Sequence, residues 1–181
     1  MRRFKHKNES DDSSGGGDDK TTEIAAVRLL ARREHSTREL KRKLQGKGHA
    51  QESVDRIVTK LVDTQAVSDE RFATSMVANH ARRGHGPIRI RAELRQQGTA
   101  DELIDSALAK SDVDFAQIAA AVRVRKFGGG RPSSMSERAK QARFLQYRGF
   151  TTDQIRAAMS VAGDDVQSLS DSDLDLGSDP E

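Results

Sequence analysis

Apolar residues recur at helical spacing through the middle of the chain. Val54, Ile57, Val58 and Leu61 lie at i, i+3, i+4 and i+7. Phe115, Ile118, Ala119 and Val122 do the same. Each set predicts an apolar stripe on one helix face. No stretch sustains a period of two, and aromatic residues are only 4% of the chain, which argues against a sheet.

A longer period appears when the chain is aligned on Gly48, Gly98 and Gly149. Four residues before each glycine stands a leucine: Leu44, Leu94, Leu145. Four after stands an acid: Glu52, Glu102, Asp153. Six after stands a β-branched residue: Val54, Ile104, Ile155. Nine and ten after come Ile57-Val58, Ala107-Leu108 and Ala158-Met159. Five coincidences in register mark an internal repeat and a modular architecture. Each glycine fits the left-handed position that ends a helix, where a Cβ would be costly.

Start signals flank the glycines. Ser36 with Glu39, Thr99 with Glu102, Ser134 with Glu137 and Thr151 with Gln154 have capping-box spacing, and Pro87 suits a first helical turn. Upstream of each pair a longer helix is expected, over about 22–34, 69–83 and 112–127. The predicted fold is therefore all-α: an elongated tandem array of three three-helix modules with disordered termini. The modules are placed at 22–65, 66–111 and 112–162. Gly128-Gly129-Gly130-Arg131-Pro132 reads as a flexible link on which the third module swings. The third module also lacks one apolar position, having Gln141 where the others have Leu40 and Ile90.

Composition sharpens this picture. Hydrophobic residues are 34% and charged residues 33% of the 181, too polar a mixture for one large core. Residues 1–21 include Asp11-Asp12-Ser13-Ser14-Gly15-Gly16-Gly17-Asp18-Asp19, which has almost nothing to bury and is expected to be disordered. Residues 163–181 carry seven acids and no base, and are expected to form an acidic disordered tail. Against a net charge of +3 for the chain, residues 22–162 hold a net +10. That asymmetry points to a polyanionic partner.

Basic residues partly share the repeat. Arg32-Arg33 and Arg82-Arg83 fall 16 and 15 before their glycines, Lys41 and Arg91 seven before, Lys47 and Arg148 one before. Arg123, Arg125 and Lys126 end the third long helix, and Arg143 lies in the third short helix. These twelve are the candidate binding residues. Arg and Lys give salt-dependent, sequence-independent affinity for phosphates, and Arg also grips carboxylates bidentately. Tyr147 and Phe150 flank the third glycine and are expected in the core more than on a stacking surface.

Recognisable catalytic chemistry is missing. Gly46-Lys47 is followed by Gly48, not by Ser or Thr, so there is no P-loop. The histidines form no His-Glu-x-x-His pattern, and His80 and His85 are five apart, off the spacing that places two ligands on one helix face. There is no Gly-x-Ser-x-Gly elbow and no cysteine. No enzyme activity, metal or cofactor is expected. No apolar run is long enough for a membrane span, and the N-terminus lacks the apolar core of a secretory signal.

Four segments carry a family resemblance: Ala31-Arg32-Arg33-Glu34-His35-Ser36-Thr37-Arg38-Glu39-Leu40, Val67-Ser68-Asp69-Glu70-Arg71-Phe72-Ala73, Arg82-Arg83-Gly84-His85-Gly86-Pro87-Ile88-Arg89-Ile90-Arg91-Ala92-Glu93-Leu94, and Arg143-Phe144-Leu145-Gln146-Tyr147-Arg148-Gly149-Phe150. In this order the chain resembles the RecX regulatory proteins over about 24–162. The resemblance implies a cytoplasmic, bacterial protein, and a monomer is expected. It implies binding in the helical groove of the RecA recombinase–DNA filament, contact with neighbouring RecA subunits, and inhibition of ATPase, strand exchange and filament extension, in control of recombination and DNA repair. Single- or double-stranded DNA would be a further partner. The alternative is a helix-turn-helix-like or sequence-tolerant DNA-binding protein acting without RecA. Three non-identical modules do not give the two-fold symmetry that a palindromic operator expects.

Overall fold

The computed structural model describes residues 14–161, with side chains described from Asp18 onward. Among these residues there are nine α-helices and no strand. They are α1 (Ser14–Leu30), α2 (Thr37–Gln45), α3 (Gln51–Asp63), α4 (Asp69–Arg82), α5 (Pro87–Gln96), α6 (Asp101–Lys110), α7 (Phe115–Phe127), α8 (Met135–Tyr147) and α9 (Thr152–Ser160). No helix among them is long and apolar enough to cross a membrane. The acidic segment 163–181 lies outside the described residues.

The repeat glycines do what the sequence asks of them. Gly48, Gly98 and Gly149 have φ of 88°, 82° and 86°. After each, the next amide reaches back to the repeat leucine: His49 to Leu44 at 3.3 Å, Thr99 to Leu94 at 3.1 Å, Phe150 to Leu145 at 3.2 Å. Each glycine amide bonds to the residue three before it at 2.9 Å. This double hook closes the helix C-terminus and turns the chain toward the next helix. It also drives Leu44, Leu94 and Leu145 fully inside.

Helix starts follow the sequence in part. Ser36 and Ser134 accept from the amides of Glu39 and Glu137, and Thr151 forms a full capping box with Gln154. Pro87 is the first residue of α5. Thr99 departs from its expected role. The α6 N-cap is Ala100, without a side-chain bond, and the Thr99 hydroxyl is buried with no partner. The third long helix begins at Phe115, because Asp114 caps the amides of Ala116 and Gln117.

Residues 14–68 belong to one compact unit. Its core is Ala26, Leu40, Leu44, Val54, Ile57, Val58, Leu61 and Val67. The expectation of a disordered tail through residue 21 fails at its end, since α1 starts at Ser14. Tertiary contacts supply the reason. Asp19 accepts from Arg56 at 3.0 and 2.8 Å, and Glu23 pairs with Lys60 at 2.9 Å. Thr22 is buried and bonds to His49 Nδ1 at 2.9 Å. α3 thus ties down turns of α1 that low propensity would leave unformed.

The second compact unit begins at Asp69 and contains α4 to α9. One core cluster is Phe72, Ala73, Val77, Ile90, Leu94, Ile104 and Ala107. Another gathers Ile118, Ala119, Ala120, Val122, Leu145, Phe150, Ala158 and Met159, together with Ala81 of α4. Phe115 packs against both. The expected swinging third module is therefore corrected: it shares a unit with the second. The glycine link is held as well, because buried Arg123 donates to the carbonyls of Gly130 at 3.0 Å and Val161 at 2.8 Å.

Candidate binding surface

The twelve sequence-derived cations divide into three groups. Two are buried. Arg123 is 0% exposed, and its guanidinium is spent on the two carbonyls just described. Arg148 is 7% exposed and donates to Arg83 O at 3.1 Å and Gly84 O at 3.4 Å. It also lies over the Phe144 ring, 5.1 Å from its centre. These two hold the fold together and leave the candidate surface. Their spacing announced basic side chains, but not what would cover them.

Another group is engaged by acids. Lys41 pairs with Asp55 at 2.6 Å, and Arg91 with Asp105 at 2.5 Å. Both pairs link the residue seven before a repeat glycine to the residue seven after it. The third module has Ala142 and Arg156 there and no such pair. Arg33 forms a two-pronged pair with Glu39, which Lys43 also contacts at 3.1 Å. Burial opposes ionisation of Glu39; the hydrogen bonds from Arg33 and Lys43 outweigh it and hold the carboxyl below its usual range.

The remaining candidates are exposed: Arg32 and Lys47 in the first unit, Arg82, Arg83, Arg125, Lys126 and Arg143 in the second. Arg82 also bonds to Asn79. Arg32 and Lys47 converge on one hollow with Arg28, which sequence reading missed. The signal was present: Arg28 stands four residues before Arg32, one helical turn away. Tyr147 is corrected too. It is 80% exposed on α8, whereas Phe150 is 1% exposed and in the core.

The junction of α4 and α5 contains a cluster that the sequence hid. Gly84 has φ of 68°, so the chain doubles back and brings His85 onto His80. Their Nδ1 atoms are 3.0 Å apart, and His80 Nε2 lies 3.2 Å from Glu93 Oε2. Arg89 Nε donates to the other Glu93 oxygen at 2.9 Å. Burial and then the charge of Arg89 push His85 down to about 4, and burial lowers His80. Both rings are therefore neutral at pH 7. Among the described residues these three are the one His/Asp/Glu group close enough to hold a metal ion. They are already joined by hydrogen bonds, and Arg83, Arg89 and Arg148 place positive charge around them. The cluster's evident role is structural: it fastens the end of α4 to α5, beside the carbonyls that Arg148 grips.

Comparison with known proteins agrees with this architecture. Three family models match in order: RecX, first three-helix domain, at 25–61; RecX, second three-helix domain, at 68–108; RecX, third three-helix domain, at 112–159. The regulatory protein RecX of Halorhodospira halophila is 48% identical over 141 residues, covering 78% of this chain and 88% of that protein. That of Vibrio campbellii is 40% identical over 141 residues, covering 78% and 91%. The crystal structure of RecX from Lactobacillus salivarius superposes with a TM-score of 0.67 at 20% identity, covering 80% of this chain and 96% of that one. A second crystal structure, of regulatory protein RecX, gives 0.71 at 21% identity, covering 86% and 80%.

Proposed function

The chain belongs to the RecX family of regulatory proteins, and on that premise we propose that it binds the RecA recombinase–DNA filament and restrains it. The reading is a binding function, with inhibition of ATPase, strand exchange and filament extension as its outcome. The observation that carries it is the ordered set of three three-helix domains in a body whose basic residues exceed its acids by ten. A RecA–DNA filament repeats phosphates and carboxylates at regular intervals. Modules with cations at related positions can engage such a repeat on successive RecA subunits.

Stoichiometric binding suffices for this mechanism. A module held on one RecA subunit and another held on its neighbour restrain the motion between them. The same occupancy obstructs a second DNA strand. Nothing in the mechanism calls for a covalent step or a cofactor. The test is RecA's DNA-dependent ATPase, measured with increasing amounts of this protein. Inhibition at about one chain per few RecA subunits is expected; full ATPase activity at equimolar protein would refute the reading.

A further inference from the structure

We propose that the hollow between α1 and the α2–α3 turn binds the phosphodiester backbone of a single nucleic-acid strand, with Arg28, Arg32 and Lys47 as its phosphate ligands. The site lies wholly within the first unit. Two adjoining hollows share Ala25, Arg28 and Lys47; Ile24 borders one, and Leu29 and Arg32 border the other. Together they form one groove with an apolar floor and a cationic rim.

Local structure places each cation. Ala31 N bonds to Val27 O at 2.9 Å and Arg32 N to Leu29 O at 3.1 Å, so the helical turn continues past Leu30. Arg28 and Arg32 therefore stand one turn apart on the same side, about 6 Å along the axis. Lys47 comes from across the groove, on the turn that Gly48 closes with φ of 88°.

Competition within the unit leaves these three without an acid, as it does Lys20 and Arg38, and of these five only Arg28, Arg32 and Lys47 line the hollow. Arg33 and Lys43 are held by Glu39, Lys41 by Asp55, Arg56 by Asp19 and Lys60 by Glu23. The side chains of Arg28, Arg32 and Lys47 make no ion pair or hydrogen bond among the described residues, and all three are exposed. Cations gathered round a concave surface without a carboxylate are placed for an external anion.

The shape favours a nucleic-acid strand over an acidic peptide. Every phosphate along a strand is anionic, so consecutive groups meet a row of cations. An extended peptide sends alternate side chains to opposite sides, so every second carboxylate would point away. The lining has no Phe, Tyr or Trp, and the one ring at its edge, His49, is held by Thr22 at 2.9 Å, so phosphate contacts dominate and binding is sensitive to salt.

The test uses the full chain and a labelled oligothymidylate, without RecA, with affinity measured by fluorescence anisotropy across a salt series. Each phosphate contact on a single strand contributes about 0.7 to the slope of log affinity against log salt. The triple variant Arg28→Ala, Arg32→Ala, Lys47→Ala should lower that slope by about 2. A control triple, Arg95→Ala, Lys110→Ala, Arg156→Ala, removes the same charge from exposed side chains that are already ion-paired, and should leave the slope unchanged. An unaltered slope in the groove variant overturns the proposal. So does a groove variant that loses affinity only for a peptide of residues 163–181, which would make the groove a site for acidic peptides. Because RecA is absent, failure here is separate from failure of the filament reading.

Discussion

Gly86 and Gly149 meet backbone to backbone. The Gly86 amide donates to Arg148 O at 2.8 Å, and the Ile88 amide donates to Gly149 O at 3.0 Å. A Cβ on Gly86 would collide with the Gly149 carbonyl and the Phe150 amide nitrogen, and a Cβ on Gly149 would lie 2.5 Å from Arg89. The end of α8 is thus seated on the start of α5, and only glycine permits the approach. This contact joins the third module to the second alongside the shared core at Ala81 and Phe115.

The two sites separate steric from conformational cost. Gly86→Ala should destabilise the second unit by roughly 3–4 kcal/mol, from overpacking plus a lost backbone hydrogen bond. Gly48→Ala should cost only about 1–2 kcal/mol, the price of a left-handed non-glycine residue. Its Cβ would meet nothing within 4 Å. Urea unfolding checks the pair, with hydrogen exchange at the Ile88 amide as a local probe. Equal losses would mean that the α5–α8 contact contributes nothing.

Arg123 and Arg148 should behave as structural residues. Substituting either by Met leaves two carbonyls without their donor. Each change should cost about 2–4 kcal/mol. Exposed Arg143, replaced by Ala, should stay within about 0.5 kcal/mol of the parent. Thermal melts of the three variants decide the matter. A silent Arg148→Met would return that side chain to the binding surface.

Stability should fall on mild acidification. His85 titrates near 4 when folded and at its ordinary 6.5 when unfolded, and His80 and His35 are lowered too. Between these values the unfolded chain binds more protons, so stability rises with pH. The contribution is complete above about pH 6.5 and is lost as pH falls toward 4, with His85 alone worth about 2–3 kcal/mol. Unfolding free energies from pH 4.5 to 7.5 should show this slope, and His85→Asn should flatten it. An unchanged slope in that variant would place the titration elsewhere.

Thr99 and Thr151 occupy neighbouring places in the repeat frame with opposite consequences. Thr151→Val should cost about 1 kcal/mol through loss of the α9 cap. Thr99→Val removes a buried hydroxyl that has no partner, and should be neutral or stabilising by up to about 1 kcal/mol. Parallel denaturation curves test the contrast, and equal losses would show that Thr99 caps α6 after all.

Local, periodic features were legible in the sequence. Leu44, Leu94 and Leu145, with the glycines four residues on, announce buried helix ends and left-handed turns, because both depend on neighbouring residues alone. Gln141, foreseen as the weak apolar position, is buried with its Oε1 unpartnered. Tertiary cover was not legible. Helical spacing puts Arg123 and Arg148 on a face, but not which carbonyls from distant segments will claim them. Likewise the five-residue gap between His80 and His85 argues against a shared helix face, and Gly84 then ends the helix and brings the rings together. The groove at Arg28 needed α1 to pack beside the Lys47 turn, a long-range contact that no local pattern encodes.

Association with the RecA–DNA filament is decided by a reconstruction of that filament with this protein added. Extra density is expected in the helical groove, touching neighbouring RecA subunits, with helical modules that fit α1 to α9. Bare filaments at a saturating concentration of the protein would contradict it.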